Sequence, residues 1–265
     1  MANITGPIGF TGKLQNISAY RMRGSDKIIL RMKGGASKER IKTHPNFDMT
    51  RRHNSEWIGC TLGSKRVRLA MRYVAKTGDY NYTGALNAVC KKIQHCDTVN
   101  GLGERMVAFS NAGSKLDGFN LNKYHLFDSV VRQPLQYSVD RATGTATVSI
   151  PALKMGDNLS NPLNKPLYRF VVSLATLQDV VYNDKAEVVN RYEGRPGLEH
   201  MVFTGWNASI KGSPAADIQL SLADWQNGPA TALLLCIAIE FGIPAGGDDV
   251  VSVKYAGAGK ILKVV

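Results

Sequence analysis

The side chains best suited to catalysis or metal binding are scattered along this 265-residue sequence. The five histidines stand far apart, at His44, His53, His95, His125 and His200. No two of them have the four-residue spacing that lets two imidazoles on one helical turn bind a single metal ion. Glycine-rich phosphate loops and nucleophile elbows do not occur. The sequence therefore predicts no catalytic residue, no metal site and no cofactor, and a protein that is not an enzyme.

The cations, in contrast, are concentrated in one part of the chain. Residues 1–100 contain 18 Lys and Arg against 6 Asp and Glu, which accounts for the whole formal net charge of +12. Residues 101–265 contain 15 of each sign. A basic segment of this kind indicates an acidic partner, such as nucleic acid, a membrane surface or another protein. The alternative is a solvated face whose cations pair with acidic groups of a neighbouring copy.

We selected candidate contact residues from this basic segment, for an assembly partner or a polyanion. They are the cations of a predicted hairpin and of the helices that follow it, with two aromatic side chains close to them in sequence. The set is Tyr20, Arg21, Arg23, Lys27, Arg31, Lys33, Arg51, Arg52, Trp57, Lys65, Arg66, Arg68 and Arg72.

The hairpin cations could form a row, because alternate residues of a strand share a face. Arg21 and Arg23 would point one way on the first strand. Lys27, Arg31 and Lys33 would share a face on the second. If both strands faced one groove, the row could follow a phosphate backbone and give salt-sensitive, sequence-independent binding. Nearby aromatic side chains could stack on bases, although we favour the interpretation that they anchor the core.

The secondary structure predicted to position these residues changes from strands to helices along the chain. Residues 12–35 are typical of a β-hairpin that turns at 24–26. Helical periodicity follows over 37–97 in three segments: one that opens at Thr43-His44-Pro45 and ends at Gly59, one capped by Ser64, and one from about Thr83 to Cys96.

From residue 101 onward the pattern is β-rich, with glycine and proline turns between short apolar runs and no convincing helix. Strands are predicted at 105–109, 136–140, 145–150, 168–175, 179–182, 186–190, 200–203, 217–222, 231–241, 250–255 and 261–265. This pattern indicates an immunoglobulin-like or jelly-roll-like β-sandwich. We predict a mainly β, α+β fold with a basic module at 1–100 and a sandwich domain at 101–265.

Composition limits the cellular setting. Four cysteines are too few for a secreted disulfide framework. The first ten residues have neither a charged region nor an apolar one, so no secretory signal is visible. No run reaches the ~18 apolar residues that a membrane-spanning helix needs. We expect a cytoplasmic protein, or one released by a route without an N-terminal signal peptide.

Two parts of the chain carry a resemblance to known sequences. The first is FTGKLQNISAYRMRGSDKIILRMKGGASK at 10–38, followed by IKTHPNF at 41–47 and TRRHNSEW at 50–57. The second is the closing stretch with IEFG at 239–242 and VKYAGA at 253–258. Together they resemble an uncharacterised protein family of Bacteroidota. The resemblance implies a bacterial origin and a basic N-terminal module followed by β-sandwich units. It implies no activity, cofactor or catalytic residue.

Two functions are consistent with these observations. The first is a structural protein that assembles with copies of itself through the basic N-terminal module, because unprotected edge strands can pair with another chain. The second is a nucleic-acid-binding protein that uses the same basic segment without sequence preference.

Overall fold

The fold is mixed α+β and mainly β, with 25% helix and 37% strand, and several antiparallel strands form a sandwich-like arrangement. This confirms the predicted fold class. The computed structural model describes residues 2–4, 9–21, 26–32, 34–183, 197–247 and 249–265. None of the helices in these ranges is long and apolar enough to cross a membrane.

Two compact units divide the chain, Met1–Arg51 and Arg52–Val265. The domain boundary that we predicted at residue 100 stays a prediction, because it concerns which segments of the chain can fold independently.

The first unit contains a four-stranded antiparallel sheet in the order β1-β4-β3-β2. Its strands are β1 (Ala2–Ile4), β2 (Gly12–Leu14), β3 (Ile17–Arg21) and β4 (Ile28–Met32). The hairpin predicted over 12–35 is confirmed only in part. Its second strand forms as β4, but its first strand is divided by a turn at 15–16 into β2 and β3, which pair with each other. Most of the predicted turn at 24–26 lies outside the described residues.

Helices follow the sheet in an order that the sequence predicted only in part. Helix α1 (Lys38–Thr43) begins after Ser37, whose side chain accepts a hydrogen bond from the N–H of Arg40. A 3-10 turn at Pro45–Phe47 leads into α2 (Asp48–Ala70), and a second 3-10 turn at Ala75–Thr77 precedes α3 (Thr83–Gln94). The third predicted helical segment is thus confirmed.

The predicted helix end at Gly59 and the predicted cap at Ser64 are wrong, because α2 runs through both residues. Glycine serves packing here rather than termination. A Cβ atom on Gly63 would lie 3.3 Å from side-chain atoms of Phe109 and Val107, so the helix approaches its neighbours more closely than alanine would allow.

The second unit contains two further antiparallel sheets. One is three-stranded, in the order β10-β6-β5, and the other runs β12-β11-β7-β8, with β9 also paired to β7. Their strands are β5 (Gln136–Asp140), β6 (Thr145–Ile150), β7 (Leu167–Gln178), β8 (Glu199–Phe203), β9 (Asn207–Ala208), β10 (Ala216–Ser221), β11 (Thr231–Gly246) and β12 (Asp249–Val264).

The larger sheet is the middle layer of this unit. On one face Val171 and Cys236 share a core with Val67 of α2 and Leu86 of α3. On the other face the alternate residues of β7 and β11 pack with side chains of β6 and β10, such as Val148. Because both faces are covered, β7 and β11 are almost continuously apolar.

Several predictions for residues 101–265 need correction. The strands at 105–109 and 179–182 are wrong: Val107 and Val180 form one isolated bridge with each other, and a short helix, α4 (Phe109–Ala112), begins at the end of the first of these segments. A second short helix, α5 (Phe127–Val130), also forms where none was expected. The strands predicted at 250–255 and 261–265 are both parts of β12, and the one at 186–190 lies outside the described residues.

Candidate self-assembly surface

An apolar row crosses one face of the N-terminal sheet. Leu14 of β2 stands opposite Ile17 of β3, and Ile17 stands opposite Met32 of β4. Residues directly opposite each other in antiparallel strands point to the same face. Leu14 is 60% exposed, Ile17 38% and Met32 75%. These three residues, which we call the apolar row, therefore form one cross-strand strip in contact with water.

The opposite face of the same sheet carries cations. Lys13, Ser18 and Arg31 stand opposite one another across β2, β3 and β4. Tyr20 lies on this face too, opposite Ile29. The first face, which holds the apolar row, is called the apolar face below, and the second, which holds Lys13 and Arg31 beside Tyr20 and the buried Ile29, is called the basic face.

The predicted single groove for the hairpin cations is wrong in one respect. Arg21 stands opposite Ile28 and so lies on the apolar face, whereas Arg31 lies on the basic face. Lys27 is exposed just before β4. Arg23 and Lys33 lie outside the described residues.

The core of the N-terminal unit is small. Within the described part of residues 1–51, the buried apolar side chains are Ala19, Ile28 and Ile29. A unit of about 50 residues buries too little surface to be stable by a wide margin. The outer edge of β2 pairs with no described strand, and all three residues of β2 are exposed. The unit therefore offers an open strand edge beside its apolar row.

Some of the predicted contact cations are engaged inside the chain. Arg51 donates from Nη1 to the backbone oxygens of Ile41, at 3.0 Å, and His44, at 2.9 Å. Its Nη2 lies 3.3 Å from Oδ1 of Asp48. Arg51 thereby satisfies carbonyl groups at the end of α1, which is a structural role.

Arg66 and Arg72, on α2 and just after it, bind distant parts of the second unit. Arg66 donates to the backbone oxygens of Gln178, at 3.1 Å, and Asp179. Burial lowers the pKa of Arg66, and the Asp179 carboxylate partly opposes that shift. Arg72 donates to the hydroxyl of Tyr73 at 2.9 Å and forms an ion pair with Glu199.

The remaining candidates lie along α2. Lys65 is exposed, and Arg68 is half-buried. Arg52 is exposed. A Cβ atom added to Gly103 would lie 3.0 Å from the Cβ of Arg52, so these two residues pack closely against each other. The structure therefore spreads the predicted cations over two faces of a sheet and along a helix.

The interpretation of the two aromatic candidates as core anchors is wrong. Tyr20 is 38% exposed and Trp57 is 52% exposed. Both side chains are available at the surface, Tyr20 on the basic face of the sheet and Trp57 on α2.

Three of the four cysteines are buried, and Cys96 is exposed. In the described ranges no group of three or more His, Cys, Asp and Glu side chains could hold a metal ion. Burial raises the pKa of the Cys60 thiol to about 11 and that of Cys90 to about 12, and it raises the pKa of Cys236 as well. Thiols with such pKa values are poor nucleophiles.

The apolar row was missed from the sequence, although part of its signal is there. Ile28, Leu30 and Met32 occupy every second position, and this spacing places three apolar side chains on one face of a strand. The partners Leu14 and Ile17 flank a two-residue turn, and only the register shows that they continue the same row.

Comparisons of the chain with models of protein families, with curated proteins and with solved structures find no match. The resemblance to a family of Bacteroidota therefore stays a prediction.

Proposed function

We propose that the protein is a non-enzymatic structural protein that assembles with copies of itself into a homo-oligomer or polymer through its N-terminal sheet. The observation that carries this proposal is the apolar row of Leu14, Ile17 and Met32 on a small sheet with an open edge. Exposed apolar strips rimmed by polar residues mark protein interaction sites.

The geometry favours a protein partner over a polyanion. A phosphate backbone needs several cations aligned on one face. The register instead separates Arg21 from Arg31, and Arg51 is used to cap α1. A sheet with an apolar face and an open edge can bind a strand and an apolar surface of another chain at the same time.

The experiment is size-exclusion chromatography with light scattering on the full chain and on Met32→Lys. Burying a side chain of this size contributes about 2 kcal/mol, so a lysine in its place should raise the concentration at which assembly is half complete roughly 30-fold. Leu14→Lys repeats the test at the other end of the row.

The matched control is Ile210→Lys, because Ile210 is 89% exposed and lies outside the N-terminal sheet. It should assemble like the unmodified chain. Equal assembly of Met32→Lys and Ile210→Lys would reject the N-terminal sheet as the contact surface.

A further inference from the structure

The hairpin between β11 and β12 extends beyond the sheet to which it belongs. Strand β11 pairs with β7 only as far as Gly242, which stands opposite Leu167. From Ile243 to Gly246, β12 is the only strand among the described residues that pairs with β11. We call residues 243–247 and 249–255 the arm. A two-stranded ribbon is at best marginally stable in water by itself, so a docked partner would stabilise the arm.

The arm carries exposed apolar side chains in register. Ile243 stands opposite Val251, and the two are 42% and 53% exposed. They therefore form a cross-strand pair in contact with water. Such pairs stabilise the strands that carry them, and here their outer surface is left in contact with water.

Tyr255 marks the base of the arm. It is 71% exposed and has a φ of 62°, at a register irregularity between Glu240 and Gly242. A bulky residue with this backbone conformation is uncommon and points to a functional constraint. Large aromatic side chains also dominate the binding energy of protein interfaces.

The charges of the arm and of the N-terminal unit are complementary. Asp249 is exposed at the tip, and the sequence adds Asp248, which lies outside the described residues. Lys254, which is also exposed, lies at the base of the arm, so the negative charge belongs to the tip. Residues 1–51 contain ten Lys and Arg against three Asp and Glu. Two arms facing each other would instead bring their acidic tips together, which is unfavourable.

We propose that the arm of one copy docks on the N-terminal sheet of a second copy, with its apolar pair against the apolar row and its acidic tip near Arg21, the cation that lies on the same face of the sheet. This inference rests on the proposed function and names the other half of the contact. Because the two surfaces differ, the contact is head-to-tail, and repetition gives a closed ring or a filament.

The experiment mixes two full-length variants, each lacking one surface. Met32→Lys damages the N-terminal sheet and keeps the arm, whereas Val251→Lys damages the arm and keeps the sheet. Each variant alone should be monomeric in sedimentation velocity. Their equimolar mixture should form heterodimers and no larger species. In each heterodimer the two unoccupied surfaces are the sheet of Met32→Lys and the arm of Val251→Lys, and both are damaged.

Circular dichroism and thermal unfolding establish that each variant is folded, so that a loss of assembly is not caused by unfolding. Leu14→Lys and Ile243→Lys repeat the experiment with a second pair of substitutions on the same two surfaces. Val99→Lys, at a site 91% exposed, is the control and should assemble like the unmodified chain.

The outcomes separate the two proposals. If Val251→Lys and Ile243→Lys assemble normally while Met32→Lys is monomeric, the arm is not the partner surface and the proposed function stands. If the two monomeric variants do not form a dimer when mixed, the head-to-tail contact is wrong. If the unmodified chain is monomeric at every concentration, both proposals fail.

Discussion

Arg169 of β7 donates from Nε to Oε2 of Glu240 on β11 across 3.1 Å. The Arg169 Cζ also lies 4.3 Å from the ring centroid of Phe203 and 4.5 Å from that of Trp206. Glu240 is 1% exposed, and Lys76 brings its Nζ within 2.8 Å of the other carboxylate oxygen. Two partly exposed cations thus pair with one buried carboxylate, and the Arg169–Glu240 pair joins neighbouring strands where the arm leaves the five-stranded sheet.

We expect Arg169→Met to lower the free energy of unfolding by about 2 kcal/mol, because the buried Glu240 carboxylate loses a charge-assisted hydrogen bond while it keeps Lys76 as a partner. The double variant Arg169→Met/Glu240→Met should lose less than the two single variants together, since it leaves no buried carboxylate that needs partners. Urea unfolding of the four proteins gives the coupling energy. Strictly additive losses would show that the pair is not coupled.

A second prediction concerns acid stability. Burial raises the pKa of Asp97, but hydrogen bonds from the Asn100 side chain and from the backbone N–H groups of Met106, Asn100 and Val99 outweigh it and hold the pKa below its ordinary value of 3.8. As the pH falls, Asp97 is therefore protonated at a higher pH in the unfolded chain than in the folded protein. The stability that the ionised Asp97 contributes is lost progressively as the pH falls to the pKa of the folded state.

Asp97→Asn should therefore flatten the decline in the free energy of unfolding between neutral pH and about pH 3. Urea unfolding at a series of pH values measures it, with Asp217→Asn on the exposed side of β10 as the control. The same slope in Asp97→Asn and the unmodified chain would contradict this assignment.

The third prediction concerns thiol reactivity. Cys60, Cys90 and Cys236 are buried and Cys96 is exposed. Because burial also raises the pKa values of the first three thiols, Ellman's reagent should label Cys96 alone in the folded protein and all four cysteines in denaturant. Cys96→Ser should abolish labelling of the folded protein. Rapid labelling of that variant would show that the buried core opens.

The fourth prediction concerns salt. If the acidic tip of the arm meets the basic N-terminal unit, assembly should weaken as ionic strength rises, because salt screens exposed charges. Asp249→Lys should weaken assembly at low salt and reduce its dependence on salt, whereas Asp217→Lys should leave both unchanged. Light scattering at several salt concentrations measures this. An unchanged salt dependence in Asp249→Lys would remove the charge argument for the arm.

The sequence predicted the elements whose signals are local. The hairpin of β5 and β6 lies where alternation and a glycine-containing turn placed it, at 136–140 and 145–150. Helix α3 follows its apolar periodicity closely. In both cases the pattern and the packing require the same conformation.

Elements shaped by tertiary contacts were not predictable in the same way. Gly59 resembles a helix end, yet α2 continues through it, and at Gly63 the Phe109 ring packs closely against the same helix. Val107 lies in an apolar run typical of a strand, yet it forms an isolated bridge to Val180 instead of a strand. For the candidate surface, the sequence located the cations, but only the register separated Arg21 from Arg31 and revealed the apolar row.

The most direct test of self-assembly is the size of the full-length particle. Electron microscopy of negatively stained protein, applied at increasing concentrations, should show rings or filaments built from many copies, and Met32→Lys should reduce them to single molecules. Uniform particles of 28.9 kDa at every concentration would contradict the account.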